Sequence, residues 1–489
     1  MKKAVVIGSG LGGLASAVRL LAKGYDVTVL EAMDQAGGRA SVFKKSGFTF
    51  DAGPTVITAP YLINELFHLL DEDPEKYFSL IPIDPFYKIL YPDGSSFDYV
   101  GDEERILENI RKLSPGDVDG YKKLAEHARR IFEVGFVGLG DEPFETFGSM
   151  LRVAPDMIKL QNYKSVYSLV STYIKDERLR QAFSFEPLLV GGNPFKITSI
   201  YLLIHWLERK WGVHYVKGGT TALIEGFVKL LKNKGAQIHF SSSVKKIETQ
   251  GRKIIGVRTE DDRFFPAEVV ISNADPVRVY RDMLGPEIRK KHTDRRLNKK
   301  DHSMSLFVAY FGTKKTYPEL AHHTIILGPR YKGLLKDIFT HKKLADDFSL
   351  YLHAPTRTDS SMAPEGHETF YVLSPVPNNE SGINWKEEGE RYKEKIYDFL
   401  DKSILPGLKE NLVVDFHITP DYFEKTLQSE KGAAFGIEPS FRQSAYFRFH
   451  NKSEDVDGLY FVGANTHPGA GIPGVLSSAK VLEKTLLRT

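Results

Sequence analysis

The chain has 489 residues, of which 42% are hydrophobic and 26% charged, and its formal net charge is only +3. That length accommodates two or three domains with a sizeable core, and so even a charge balance excludes a general nucleic-acid binder and points to a small-molecule partner. The chain contains no cysteine, which excludes disulfides, thiolate nucleophiles and cysteine-ligated zinc or iron–sulfur clusters, so redox chemistry has to come from a bound cofactor.

The opening MKKAVVIGSGLGGLASAVRL imitates a signal peptide, with two lysines, an apolar run and Ala15-Ser16-Ala17. Its glycine spacing argues otherwise. Lys3 to Ile7 reads as a strand, and Gly8-Ser9-Gly10-Leu11-Gly12-Gly13-Leu14 opens a helix running to about Lys23, which is GxGxxG in its meaningful context. Gly8 permits the tight turn, Gly10 a close approach to a pyrophosphate and Gly13 close helix-to-strand packing, while the free N–H groups of the helix start, around Gly12 and Leu14, face the anion. A second strand, Asp26 to Leu30, ends at Glu31 and Ala32, where an acid is expected to accept ribose hydroxyls.

Ala36-Gly37-Gly38-Arg39-Ala40 follows at once. Two glycines and a charged donor there suit a second approach to a long pyrophosphate, an arrangement that resembles FAD proteins of the glutathione-reductase-like group; FAD is therefore the expected cofactor. In GFTFDAGPT, the turn Gly53-Pro54-Thr55 is expected to lay backbone beside the isoalloxazine ring.

From about Pro60 to Lys210 the chain reads as aromatic-rich helices in which Arg152, Lys159, Lys164, Lys175, Arg178 and Arg180 are interleaved with apolar residues, a pattern that suggests contact with a membrane surface. No stretch reaches the roughly 18 apolar residues of a spanning helix. The nucleotide pattern then returns. Val216 to Thr220 leads into a helix, Val244 in the next strands presents backbone to an adenine, and a buried strand stops at Asn273-Ala274 beside the adenosine. Residues from about 300 to 450 alternate as strands and form a second sheet, the expected wall of a substrate cavity.

The final strand, Leu459 to Val462, passes into Gly463-Ala464, expected beside the phosphates and ribityl chain, and the irregular stretch to Gly471 is expected beneath the flavin ring. Ile472-Pro473-Gly474-Val475 begins the last helix, whose positive end would stabilise charge at N1 and O2 of a reduced flavin.

Beyond these motifs, GFTFDAGPTVIT, SVYSLVSTYIKDERLRQAFSFEPLLVGGNPF, LAHHTIILGPRY, FSLYLHAPTRTDSSMAPEG and THPGAGIPGV resemble bacterial-type phytoene desaturases, the FAD-dependent carotenoid desaturases. The resemblance implies an α/β fold with a glutathione-reductase-like Rossmann FAD-binding domain (residues 1–60, 211–290 and 455–489), a sheet-based substrate domain (61–115 and 291–454) and a helical, membrane-facing region (116–210). It also implies an apolar C40 carotenoid substrate, phytoene, taken to zeta-carotene, neurosporene or lycopene by hydride transfer to flavin, with oxygen or a quinone as final acceptor and a peripheral place on the cytoplasmic side of a membrane. Asn465 departs from the family, which usually has glycine there, so a side chain is expected beside the flavin.

No Ser/His/Asp set, paired catalytic carboxylates or metal-spaced histidine cluster is apparent, and no metal is expected. Arg152 and His467 are the candidates for a catalytic polar group, with His353 a further one. The rival readings are an amine or protoporphyrinogen oxidase, a later-pathway carotenoid desaturase or carotene isomerase, and a non-catalytic prenyl-binding escort of the same fold.

Overall fold

A computed structural model describes residues 1–487. Its centre is a five-stranded parallel sheet in the order Leu459–Phe461, Val269–Ser272, Lys3–Ile7, Asp26–Leu30, Gln237–His239. Strands of the KAVVI and VVIS type are buried along nearly their whole length, as a parallel sheet covered on both faces requires. Registers pair Ile7 with both Leu30 and Ser272, and Ser272 with Phe461. The four strands therefore stop together, and Gly8, Glu31, Asn273 and Val462 emerge along one edge. Open parallel sheets bind their ligands at this carboxyl edge.

The helix Leu11–Ala22 packs between that sheet and the last helix, Ile472–Leu487. Gly13 makes the approach possible, because a Cβ there would lie 2.0 Å from the Gly8 carbonyl oxygen. Arg19 pins the pair from the buried side, donating to Glu483 at 2.6 Å and to Glu65 at 2.8 Å.

The second sheet has seven strands in the order Leu412–Ile418, Ser305–Thr313, Glu368–Val376, Leu350–His353, His323–Ile326, Tyr87–Leu90, Ser96–Tyr99. All neighbours are antiparallel except His323–Ile326 with Tyr87–Leu90. Its long strand Ser305–Thr313 is buried on both faces, and the two-residue period divides its side chains. Phe307, Ala309 and Phe311 pack under the helix Trp385–Lys402, whereas Leu306, Val308 and Tyr310 join the core on the other face. Helices between Glu103 and Trp211 close the space between the two sheets. Among the described residues no helix is long and apolar enough to cross a membrane.

Candidate functional site

One cavity of about 530 Å³ begins at the carboxyl edge of the parallel sheet and continues against the seven-stranded sheet. Its first arm is built of backbone. Gly8, Gly10 and Gly12 line it with Glu31, Ala32, Gly38, Arg39 and Ala40, then Gly53, Pro54 and Thr55, Val244, Asn273 and Ala274, and the carboxy-terminal set Gly463, Ala464, Gly471, Ile472, Pro473, Gly474 and Val475. Segments more than 400 positions apart in the sequence thus share one wall. Gly13 and Leu14 lie behind it, in the helix–sheet packing.

Local chemistry explains the shape of this arm. Gly8 has φ +89°, Gly463 +100° and Gly471 +90°, a region that glycine enters without a steric cost. A Cβ on Gly10 would come within 2.6 Å of the Asn273 amide, and one on Gly12 within 2.5 Å of it, so the Asn273 side chain fills the gap between the amino-terminal and carboxy-terminal loops. The helix starting at Leu11 has Gly10 as N-cap with no side-chain cap, which leaves its first N–H groups to an anion. Arg39 donates to Ser429 Oγ at 2.8 Å, while its Nε has no protein partner. Burial pulls the Arg39 pKa down, opposed by the charge of Asp275, so the guanidinium is short of a counter-ion and a diphosphate would supply one. These features fit FAD.

Glu31 differs from its expected role in part. Its Oε2 accepts from Ser9 N at 2.7 Å and Ser9 Oγ at 2.6 Å, and Oε1 accepts from Met33 N at 2.9 Å. The carboxylate therefore holds the Gly8–Gly10 turn against the end of the second strand, with one acceptor position left for a hydroxyl.

The second arm is apolar and lies against the seven-stranded sheet, where a substrate cavity was expected, although no lining residue was named in advance. Leu306, Val308 and Tyr310 wall it from the sheet, with Ile325, Leu327, Leu334 and Leu335, and Leu188, Leu189, Leu203 and Leu207 close it from the helices. One ionisable group stands out there, Glu208, whose Oε1 accepts from Tyr87 at 2.6 Å and whose Oε2 has no partner. Behind it lies Glu186, bound by Tyr99 at 2.5 Å. Burial pushes Glu186 up to about 8, and Glu208, which feels burial and the Glu186 charge together, well above the usual carboxylate range. Both shifts favour the protonated, uncharged form.

Unfolded, both carboxyls would ionise near about 4.3. Their contribution to stability is present below that pH and is lost as pH rises through about 8. The melting temperature is expected to fall as pH rises from about 4.3 through about 8, and a Glu186→Gln/Glu208→Gln variant to show a flatter profile; an unchanged slope in scanning calorimetry would contradict the raised pKa values.

The catalytic candidates fall elsewhere. Arg152 is exposed on the helix Phe147–Lys159, beside the exposed Leu151, and does not line the cavity. His467 turns away from the cavity, packs edge-on against Phe144 at 4.8 Å and is pushed down to about 4 by burial; its neighbour Pro468 lines the cavity instead. His353 lies behind the wall, bonded to Asp51 at 3.3 Å. Asn465 also turns away from the site. Its Oδ1 accepts from Ile437 N at 2.7 Å, which places its side chain in the space beside Gly436 and outside the cavity.

Comparison with known proteins supports this reading of the site. The family described as flavin containing amine oxidoreductase matches residues 11–481. The lycopene-forming phytoene desaturase of Pantoea ananas is 48% identical over 488 residues, covering 100% of this chain and 99% of the relative. The neurosporene-forming phytoene desaturase of Rhodobacter capsulatus is 43% identical over 492 residues, covering 99% and 94%. Among solved structures, a putrescine oxidase with bound putrescine superimposes with a TM-score of 0.65 at 14% identity over 100% of this chain and 99% of that one, a likeness of fold alone.

Proposed function

The chain belongs to the flavin containing amine oxidoreductase family and, within it, to the bacterial phytoene desaturases, and on that premise we propose that it is an FAD-dependent desaturase of a C40 carotenoid, with phytoene as substrate and lycopene as end product. The observation that carries this reading is the continuity of the two arms. A backbone-lined arm fit for a dinucleotide opens directly into an apolar arm, and burial pushes the carboxyl within the latter toward its uncharged form. A cationic amine would find a carboxyl whose ionisation burial opposes, whereas a hydrocarbon chain meets mainly aliphatic side chains and aromatic faces.

Bound FAD supplies a two-electron acceptor that takes a hydride at N5. The chain supplies positioning and exclusion of water. Leu306, Val308 and Tyr310 hold the substrate along the sheet, and the Gly53–Thr55 turn and the Gly471–Val475 segment fix where it meets the cofactor arm.

An apolar substrate needs an apolar entry. Phe147, Leu151 and Ile158 share one face of the helix Phe147–Lys159 and are exposed by 53%, 61% and 66%, with Val137 and Tyr163 exposed nearby. The adjoining stretch contributes Gly135, Phe136 and Gly140 to the cavity wall. This face, flanked by Arg152 and Lys159, is the part of the helical region that suits a lipid surface. Arg178 and Arg180 do not take part, being tied to Asp176, Asp93 and Glu177. A Leu151→Asp/Ile158→Asp variant is expected to bind anionic vesicles roughly 100-fold or more weakly, since two apolar side chains each contribute about 1.5–3 kcal/mol, with flavin content unchanged. Undiminished vesicle binding would remove this face from the account.

The reading is tested with purified protein, FAD and liposome-embedded phytoene, under air and under anaerobic quinone, with products separated by chromatography. Lycopene is the expected product, and the productive arm identifies the acceptor. Neurosporene or zeta-carotene as end point would overturn the step count. Isomerised phytoene without new double bonds would restore the isomerase reading, and a colourless protein unable to take up FAD the escort reading.

A further inference from the structure

Just behind the cavity wall three histidines converge. His323 and His353 are cross-strand partners in the seven-stranded sheet, and His322 precedes the same strand, its carbonyl accepting from Ala354 N at 2.9 Å. All three are buried, with exposures of 5%, 0% and 1% for His322, His323 and His353. A nitrogen of each ring lies within 4.8 Å of one from each of the others. Sequence spacing gives no hint of this, because two ligands are adjacent and the third is thirty positions on.

Each ring spends one nitrogen on an orienting partner. His322 Nδ1 meets Thr358 Oγ1 at 2.6 Å, His323 Nδ1 meets the Tyr351 hydroxyl at 2.7 Å, and His353 Nε2 meets Asp51 Oδ2 at 3.3 Å. The other three nitrogens, His322 Nε2, His323 Nε2 and His353 Nδ1, have no hydrogen-bond partner among the described residues. Asp51 is a carboxylate and only accepts, so a neutral His353 donates from Nε2 and carries a bare lone pair on Nδ1. Buried polar atoms without partners are rare and costly. Three of them in one cluster, on rings each fixed through the opposite nitrogen, reproduce the way proteins present histidine to a metal.

We propose that His322, His323 and His353 form a binding site for a divalent zinc-type cation, which fastens the residue 51–55 turn of the cofactor arm to the seven-stranded sheet. Three imidazoles with no thiolate and no free carboxylate favour zinc over magnesium or calcium, which take oxygen ligands. Zn–N bonds of about 2.0–2.1 Å place tetrahedral ligand atoms about 3.4 Å apart, so nitrogens now within 4.8 Å of one another have to close by up to about 1.4 Å. The mechanical link runs through the orienting partners. His353 holds Asp51, and His323 holds Tyr351, whose hydroxyl bonds Thr55 at 2.9 Å.

The proposal is independent of the desaturase reading and is tested on the flavin-loaded protein with zinc alone. After incubation with excess Zn²⁺ and gel filtration, elemental analysis is expected to give about one zinc per chain, and X-ray absorption at the zinc edge three nitrogen neighbours at about 2.0–2.1 Å. A His323→Gln/His353→Gln variant that retains flavin is expected to lose the metal. Less than a tenth of an equivalent on the wild-type protein (roughly the adventitious level for an unbuilt site) would overturn the site outright. Zinc retained in full by the variant would place it elsewhere and overturn it equally.

Discussion

Gly53→Ala is expected to yield protein that purifies without flavin. A Cβ at position 53 would stand 1.6 Å from the Arg39 carbonyl oxygen, 2.6 Å from its carbonyl carbon and 3.2 Å from Ala40 Cα. None of these is the flexible end of a side chain, so the added methyl moves backbone. Whichever side yields, the cavity changes, because residues 38–40 and 53–55 both line it. Arg39 would lose its place opposite the helix start at Leu11, and the turn its place beside the cofactor. We expect less than a tenth of the wild-type flavin content, a binding loss on the order of 2 kcal/mol or more, in line with displaced charge-assisted contacts. Gly116→Ala is the matched control, since a Cβ there meets nothing within 4 Å. Normal flavin content in Gly53→Ala, read from the absorbance of the purified protein, would show that the two loops do not meet as described.

Asp51→Ala is expected to cost about 3–5 kcal/mol of stability. The side chain is fully buried and accepts four hydrogen bonds, from Thr220 N and Thr220 Oγ1 at 2.7 Å each, from the Tyr215 hydroxyl at 3.1 Å and from His353 Nε2 at 3.3 Å. Burial alone would push its pKa up, but the bonds and charge of His353 and the bonds of Thr220 hold it below the usual range. It thus ties the amino-terminal hairpin to the start of the helix Thr220–Asn233, to the strand His214–Val216 and to the seven-stranded sheet. Alanine leaves four buried donors unpaired, which is why the loss exceeds that of a single bond. Asp51→Asn keeps the shape and the two Thr220 bonds, and the Tyr215 hydroxyl and a tautomerised His353 are able to accept from its amide, so about 1–2 kcal/mol is expected there. Denaturant unfolding of the two variants measures the difference; equal and small losses would contradict the hub.

The contrast between these two positions shows what a sequence discloses. The cofactor arm was readable because its demands are local. A turn needing φ +89° takes Gly8, a helix so close that a Cβ would lie 2.0 Å from the Gly8 carbonyl oxygen takes Gly13, and positive φ recurs at Gly463 and Gly471. Asp51 sits in an equally legible turn, yet the partners of its carboxylate come from positions 215, 220 and 353, and nothing in the neighbouring residues announces them. The second sheet was expected as the wall of a substrate cavity, but which of its residues line that wall was not legible, for a related reason. Leu306, Val308 and Tyr310 are what any half-buried strand carries, and only the arrival of helices from residues 185–208 makes their face a cavity rather than packed core.

Arg152 and Asn465 mislead in opposite directions. Arg152 was a candidate for the cavity because of the apolar residues beside it, yet it is exposed, as is Leu151 next to it. Asn465 looked like an intrusion beside the flavin, and the structure turns its amide outward to a backbone N–H that needs it, at Ile437. Glu208 went unremarked within LIHWLERKW, where a glutamate beside Arg209 and Lys210 reads as surface charge, although it is 1% exposed.

The central claim is that one cavity brings a hydrocarbon chain to a bound flavin. Anaerobic mixing of the flavin-loaded protein with phytoene-bearing liposomes tests it directly, with the visible flavin band followed in time and the lipid extracted afterwards. Bleaching of the flavin, one new carotenoid double bond for each flavin bleached, and recovery of the band on adding quinone or air are the predicted results. A flavin band that stays unchanged by phytoene while remaining reducible by dithionite, or a coloured product formed equally by flavin-free protein, would contradict the account.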